Sequence, residues 1–119
     1  MAEEKGLVNK HLEAVLQIQL LNGSSINCVL DTGFDGSLLL PREFVEENSL
    51  LFLGPEKVML VEKISAEIET ALIKINWLGE ESSIRIFVSE ADEALIGTEM
   101  LVDSILEIDY KNRSVKITK

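Results

Sequence analysis

From Leu12 to Leu20 the chain alternates. Leu12, Ala14, Leu16, Ile18 and Leu20 fall on one face; Glu13, Val15, Gln17 and Gln19 fall on the other. A period of two is the mark of a half-buried β-strand. Asn22-Gly23 follows, the dipeptide of a tight hairpin, and Ile26 to Leu30 reads as the return strand.

The rest of the sequence continues that theme. Ser37 to Leu40 is a short apolar run. Pro41 suits the start of a short helix over Arg42 to Asn48, with Glu residues early in it. Val58 to Ile64 reads as a strand or hairpin arm. Ala66 to Trp77 is a long strand whose apolar parity changes: Ile64, Ala66, Ile68 and Leu72 share one phase, and Ile73, Ile75 and Trp77 the other. A phase change predicts a bulge or a strong bend. Gly79-Glu80-Glu81 is a turn, and Ile84, Ile86 and Val88 alternate in the next strand. Ala94-Leu95-Ile96 is wholly apolar and stops at Gly97, after which Thr98 is placed to cap a helix to about Asp103. Strands at Leu106 to Tyr110 and Val115 to Ile117 close the chain around Lys111-Asn112-Arg113. About eight short strands separated by turn signals predict a closed all-β barrel or sandwich with one or two short helices. The first ten residues are polar and are expected to be a flexible segment ahead of a single domain over 11–119.

Composition narrows the function. A chain of 119 residues is long enough for one core without metal or disulfides. Twenty-one acidic against eleven basic residues give a formal charge of −10, which disfavours nucleic acid and anionic membrane surfaces as partners. The acidic balance suits basic substrates or partners, or is simply a solvated face. One Cys and one His exclude an internal disulfide and a Cys/His zinc site, and no metal or other cofactor is expected. No stretch is apolar enough for a membrane helix, and Met1-Ala2-Glu3-Glu4-Lys5 does not open like a signal peptide, so a soluble cytoplasmic protein is expected.

Several residues invite chemistry and lose it on inspection. His11 adjoins the polar N-terminus, and Cys28 sits in mid-strand among apolar neighbours as a small core residue. Asp31, Asp35 and Gly36 match three positions of a calcium loop. Gly33 and Arg42 then stand where an oxygen ligand and a bidentate Glu are required. Asn22-Gly23-Ser24 and Asn112-Arg113-Ser114 have the form of glycosylation acceptors, without the secretory context that would use them. Asp31 is left. It ends an apolar strand, where an ionised carboxylate needs hydrogen bonds or a shared proton. Taken alone, Asp31-Thr32-Gly33 reads first as an Asx turn.

The wider context is more telling. Val29-Leu30-Asp31-Thr32-Gly33-Phe34-Asp35-Gly36-Ser37-Leu38-Leu39-Leu40-Pro41 resembles the active-site segment of retropepsin-like aspartic proteases, nearer the small single-domain cellular and prokaryotic members than the viral ones. Ala94-Leu95-Ile96-Gly97-Thr98-Glu99-Met100-Leu101 resembles the family's apolar-apolar-Gly segment and following helix, and Ile105-Leu106-Glu107-Ile108-Asp109 its closing hairpin. The resemblance runs in order from about Leu12 to Thr118. It implies a barrel-like all-β homodimer acting on a peptide or protein substrate, with Asp31 of each chain as the catalytic residue. It implies that Thr32 locks the two active-site loops together and that Gly33 lets the backbone pass close to substrate. It places Phe34, Asp35, Ile96 and Gly97 along the substrate cleft, and the terminal strands, Val115 to Thr118 included, in the shared sheet. It makes Val61, Glu62, Lys63, Ile64 and Ser65 the flap. This last segment departs from the family by having no glycine at its tip, which predicts a shorter, stiffer or differently turned flap.

The physics of amide hydrolysis agrees with a pair. One carboxylate must take a proton from water while a carboxylic acid protonates the substrate. Two aspartates ~3 Å apart cannot both ionise, so the pair keeps one proton and fills both roles. The chain has one such strand-end Asp, and a second copy supplies the other; Asp35, past a glycine, is expected to face solvent or cap the turn. The rival reading is a non-catalytic dimeric module of the same fold that binds peptides or drives assembly. A weaker one is a monomeric β-barrel in which Asp31 only makes a turn.

Overall fold

The computed structural model describes residues 2–61 and 64–119. It contains ten strands: β1 (Glu3–Val8), β2 (Ala14–Leu20), β3 (Ser25–Leu30), β4 (Leu38–Pro41), β5 (Leu51–Val61), β6 (Ile64–Trp77), β7 (Glu80–Ser89), β8 (Leu95–Ile96), β9 (Ile105–Asp109) and β10 (Ser114–Thr118). One α-helix, α1 (Arg42–Glu47), and one 3-10 turn at Thr98–Leu101 complete the described elements. The sheet runs β5-β6-β7-β4-β8-β3-β2-β1-β10-β9. A further pairing, Gln19 and Leu20 of β2 with Asn76 and Ile75 of β6, joins strands that are distant in that order. It closes β6, β7, β4, β8, β3 and β2 into a circuit, so the all-β reading of the sequence holds.

Alternation decides the inside. Ala14, Leu16, Ile18 and Leu20 of β2 are buried and meet Leu38, Leu40, Ile73, Ile75, Ile86, Ile96 and Ile117 in one cluster. Each fully buried Leu or Ile stabilises the fold by roughly 1.5–3 kcal/mol relative to exposure. Trp77 joins the cluster and directs its indole N–H to the Met100 carbonyl at 3.0 Å, so a buried donor is satisfied. Leu12 does not share this face. It lies before the strand, exposed, with φ of 64°. The side chain of Asn9 makes that bend by accepting the backbone N–H groups of His11 and Glu13.

The turns follow their residue types. In the β2–β3 hairpin Gly23 has φ of 95° and the Asn22 side chain accepts the Ser24 N–H. Leu78 and Gly79, both at positive φ, join β6 to β7 in the two-residue form whose twist matches the strands. The parity change in β6 falls at Thr70 and Ala71, both buried. The extra residue is on the partner: β5 shifts register between Phe52 and Gly54 opposite that step, with Gly54 at φ of 98°.

Two expectations are corrected. The first ten residues are not a loose leader. β1 is paired on both sides, with β2 and with β10, and Glu4 accepts the Leu78 N–H at 2.9 Å. Polar composition hid this strand because backbone pairing, more than apolar side chains, holds it; at Gly6 a Cβ would run into the Val15 carbonyl of β2. Within the sheet β10 lies between β1 and β9, and the free edge at that end belongs to β9. Second, Thr98 is not a cap. Gly97 holds that position, and the turn ends at Leu101. No helix among the described residues is long and apolar enough to cross a membrane.

Candidate active site

Strands β3 and β8 run parallel, pairing Val29 with Leu95 and Leu30 with Ile96, while β8 runs antiparallel to β4. The chain between β3 and β4 therefore loops around the segment that follows β8. Four backbone hydrogen bonds tie the crossing together. Asp31 N–H donates to the Ile96 carbonyl (2.9 Å), and Gly97 N–H to Ser37 (2.8 Å). Thr98 N–H donates to Phe34 (2.9 Å), and Glu99 N–H to Gly36 (3.2 Å). The two segments lie too close for a side chain at Gly97, where a Cβ would collide with the Gly36 carbonyl and with the Phe34 ring at 2.7 Å. Glycine is required there for approach, not for turning.

Asp31 stands at the end of β3, half-buried. Its Oδ1 accepts the Gly33 N–H at 2.9 Å, and its carbonyl accepts the Phe34 N–H at 3.1 Å. The Asx turn read from the three residues is thus present. It also aims the carboxylate, because a group tied by one oxygen to its own loop keeps the other available. Among the described residues no lysine or arginine pairs with Asp31. Asp31 lines a shallow cavity of about 380 Å³ whose walls include Leu12, Glu13, Val29, Leu95, Ile108 and Tyr110. Thr32 also lines it, exposed, with no side-chain hydrogen bond among the described residues.

The other residues singled out by sequence divide. Phe34 is half-buried and packs its ring on Phe87, centroids 6.2 Å apart and tilted by 58°. Its carbonyl also accepts the Thr98 hydroxyl at 3.4 Å, so Phe34 pins the crossing. Asp35 is exposed, as expected of a turn residue. Ile96 is fully buried in the core, so its side chain cannot line an open cleft; it serves the site through the carbonyl that holds Asp31. Gly97 is buried as well and contributes closeness rather than a wall. Val61 and Ile64 pair where β5 meets β6, and Ile64 and Ser65 are exposed; Glu62 and Lys63, the tip of the expected flap, lie outside the described residues. Sequence reasoning missed Leu12, Ile108 and Tyr110 at the Asp31 cavity. Tyr110 comes from the far end of the chain, and no local signal marks it.

Cys28 is buried and free, and burial pushes its thiol up to about 12, so it offers no nucleophile near neutral pH. Among the described residues no group of three or more His, Cys, Asp or Glu is disposed to hold a metal ion. What the site offers is one accessible carboxylate on a rigid crossing, beside an exposed hydroxyl and an apolar wall.

No profile of a known protein family matches the sequence, and no curated protein matches it either. Solved structures do. A retropepsin-like aspartic protease from Rickettsia conorii superposes with a TM-score of 0.66 at 17% identity, covering 97% of this chain and 89% of that one. The EIAV protease in complex with the inhibitor HBY-793 superposes with a TM-score of 0.58 at 18% identity, covering 80% and 90%. The foamy viral protease-reverse transcriptase bound to an RNA/DNA hybrid gives 0.54 at 17% identity, over 80% of this chain and 13% of that one. The fold of this chain is retropepsin-like.

Proposed function

We propose that the protein is an aspartic endopeptidase whose active unit is two copies of the chain, with Asp31 and its counterpart facing each other across a two-fold axis. The observation that carries this reading is the Asp31 loop. A single part-exposed carboxylate, unpaired with any cation among the described residues, accepts the Gly33 N–H, while the backbone N–H of the same residue donates to the Ile96 carbonyl, in a retropepsin-like fold. Half of a two-carboxylate device is present in each chain. Two-fold pairing is the commonest way for a protein to complete such a site. The exposed Thr32 and the free edge of β9 are the groups offered to the second copy. A cytoplasmic setting belongs to the same reading.

In the paired site one aspartate is ionised and the other protonated. The carboxylate takes a proton from water as the water oxygen bonds to the scissile carbonyl carbon. The carboxylic acid gives its proton to the carbonyl oxygen. In the second half the ionised aspartate takes a proton from a hydroxyl of the tetrahedral centre, the protonated aspartate gives its proton to the nitrogen, and the C–N bond breaks to release acid and amine. The pair ends with one proton, as it began. The glycine-free hairpin tip favours one rival, the same paired fold binding peptides without cutting them.

The experiment is hydrolysis of an unfolded protein such as casein by wild type and Asp31→Ala. Cleavage that vanishes in the variant while its fold and association persist supports the endopeptidase. Binding without cleavage by wild type supports the rival.

A further inference from the structure

One arginine adds side-chain contacts across strands that the sheet already places side by side, β5–β6, β7 and β4. Arg42 opens α1, directly after β4. Its Nε donates to both oxygens of Glu90, at 2.9 and 3.2 Å, and its Nη2 lies 2.7 Å from Glu90 Oε1. Nη2 is also 3.1 Å from Glu69 Oε1, and Nη1 donates to Glu69 Oε2 at 3.4 Å. Glu46, one helical turn on, stands at 4.0 Å. The face of the guanidinium covers the Phe52 ring, 5.6 Å from its centroid.

These partners have a pattern. Phe52 and Glu69 belong to opposite strands of the β5–β6 hairpin, close to where β5 bulges at Leu53 and Gly54. Glu90 immediately follows β7, four residues ahead of Ala94, whose carbonyl accepts the Val29 N–H. Two residues further on, Ile96 holds Asp31. Arg42 therefore grips the base of the longest hairpin on one side and the segment leading to the Asp31 crossing on the other. Isolated surface ion pairs contribute little, but this one is a network. It is bidentate to two carboxylates, stacked on an aromatic face, and carried by a side chain only 32% exposed.

We propose that Arg42 is a positioning residue: it anchors the β5–β6 hairpin to the segment that backs Asp31 and so fixes where the hairpin stands relative to that carboxylate. A bulge gives the hairpin a place to flex, and the anchor sits beside it. The consequence for substrate handling rests on the endopeptidase reading; the anchoring itself does not.

The test is amide exchange in the whole protein. Arg42→Gln should speed exchange across Leu51–Met59 and Ala66–Leu72 by on the order of tenfold, with β1 and β10 unchanged. Arg42→Lys keeps the charge but loses the fork, and should fall between. Glu90→Gln, the milder change, should loosen the Glu90–Ala94 segment together with the hairpin, and it decides the matter if Arg42→Gln does not fold. On a cleaved peptide, Arg42→Gln should raise KM several-fold and leave kcat nearly unchanged, the mark of lost positioning rather than lost chemistry. Unchanged exchange in both variants, or a uniform rise over the whole sheet, overturns the anchor, as does a kcat loss at constant KM. A wild-type protein that cleaves nothing overturns the endopeptidase reading alone, because the exchange pattern still decides the anchor.

Discussion

Asp31 and Gly97 answer to different physics although they belong to one crossing. Among the described residues the side chain of Asp31 holds only the Gly33 N–H, so its loss should leave the fold in place. In the proposed pair the two aspartates cannot both stay ionised, so pairing costs the uptake of a proton, and Asp31→Asn removes that cost while keeping shape. This variant should lose all hydrolysis and associate more tightly than wild type at neutral pH, by sedimentation. Equal association of the two proteins means that the two aspartates do not meet. Gly97→Ala should act on the fold instead. A methyl group meets the Gly36 carbonyl and the Phe34 ring, and such overpacking destabilises by about 1–3 kcal/mol. Denaturant unfolding should report that loss without any change of substrate. Cys28, its thiol pushed up to about 12 by burial, should resist a thiol reagent near neutral pH until the chain unfolds.

Between strands, the β9–β10 hairpin carries the clearest pH signature. Backbone and side-chain hydrogen bonds from Asn112, then the Lys111 N–H, hold the Asp109 carboxyl below its ordinary value of 3.8. A lowered value means that the folded chain binds the proton less readily than the unfolded one. The contribution is therefore complete above the ordinary carboxylate range and fades as pH falls through the lowered value. Denaturation midpoints of Asp109→Ala and wild type should differ near neutral pH and converge in strong acid. A constant gap would take Asp109 out of the turn's energetics. The effect matters to the site because Ile108 and Tyr110, on either side of Asp109, both line the Asp31 cavity.

For the molecule as a whole, the proposed catalysis turns on association. Leu12, Tyr110, Val102 and Ile105 are large apolar side chains left exposed, the first two at the Asp31 cavity and the last in the edge strand β9. We expect two-fold pairing to cover part of this surface and to bring Thr32 against its counterpart. A hydroxyl bonded across such a contact contributes ~1 kcal/mol net, and symmetry doubles it. Thr32→Ala should therefore raise the dissociation constant at least tenfold while the monomer keeps its stability. An unchanged constant would place Thr32 outside the interface. The charge of −10 opposes association in both proteins alike, so added salt should tighten each to a similar degree.

What could be read without the structure was whatever is local. Alternation fixed the faces of β2 and β7, Asn22-Gly23 and Gly79 marked hairpins, and the step in parity along β6 announced a bulge that lies on its partner. Asp31-Thr32-Gly33 stood out as a strand-end carboxylate for the same reason. Tertiary structure decided what depends on contacts between distant segments. β1 is a strand because β2 and β10 offer it backbone partners, and nothing in its polar residues signals that. Ile96 left the cleft for the core because β8 is enclosed between β3 and β4. Arg42 met Phe52, Glu69 and Glu90 through folding alone, and Tyr110 reached Asp31 from the far end of the chain. Periodicity reports which way a side chain faces, whereas the identity of its neighbour is set only when the sheet closes.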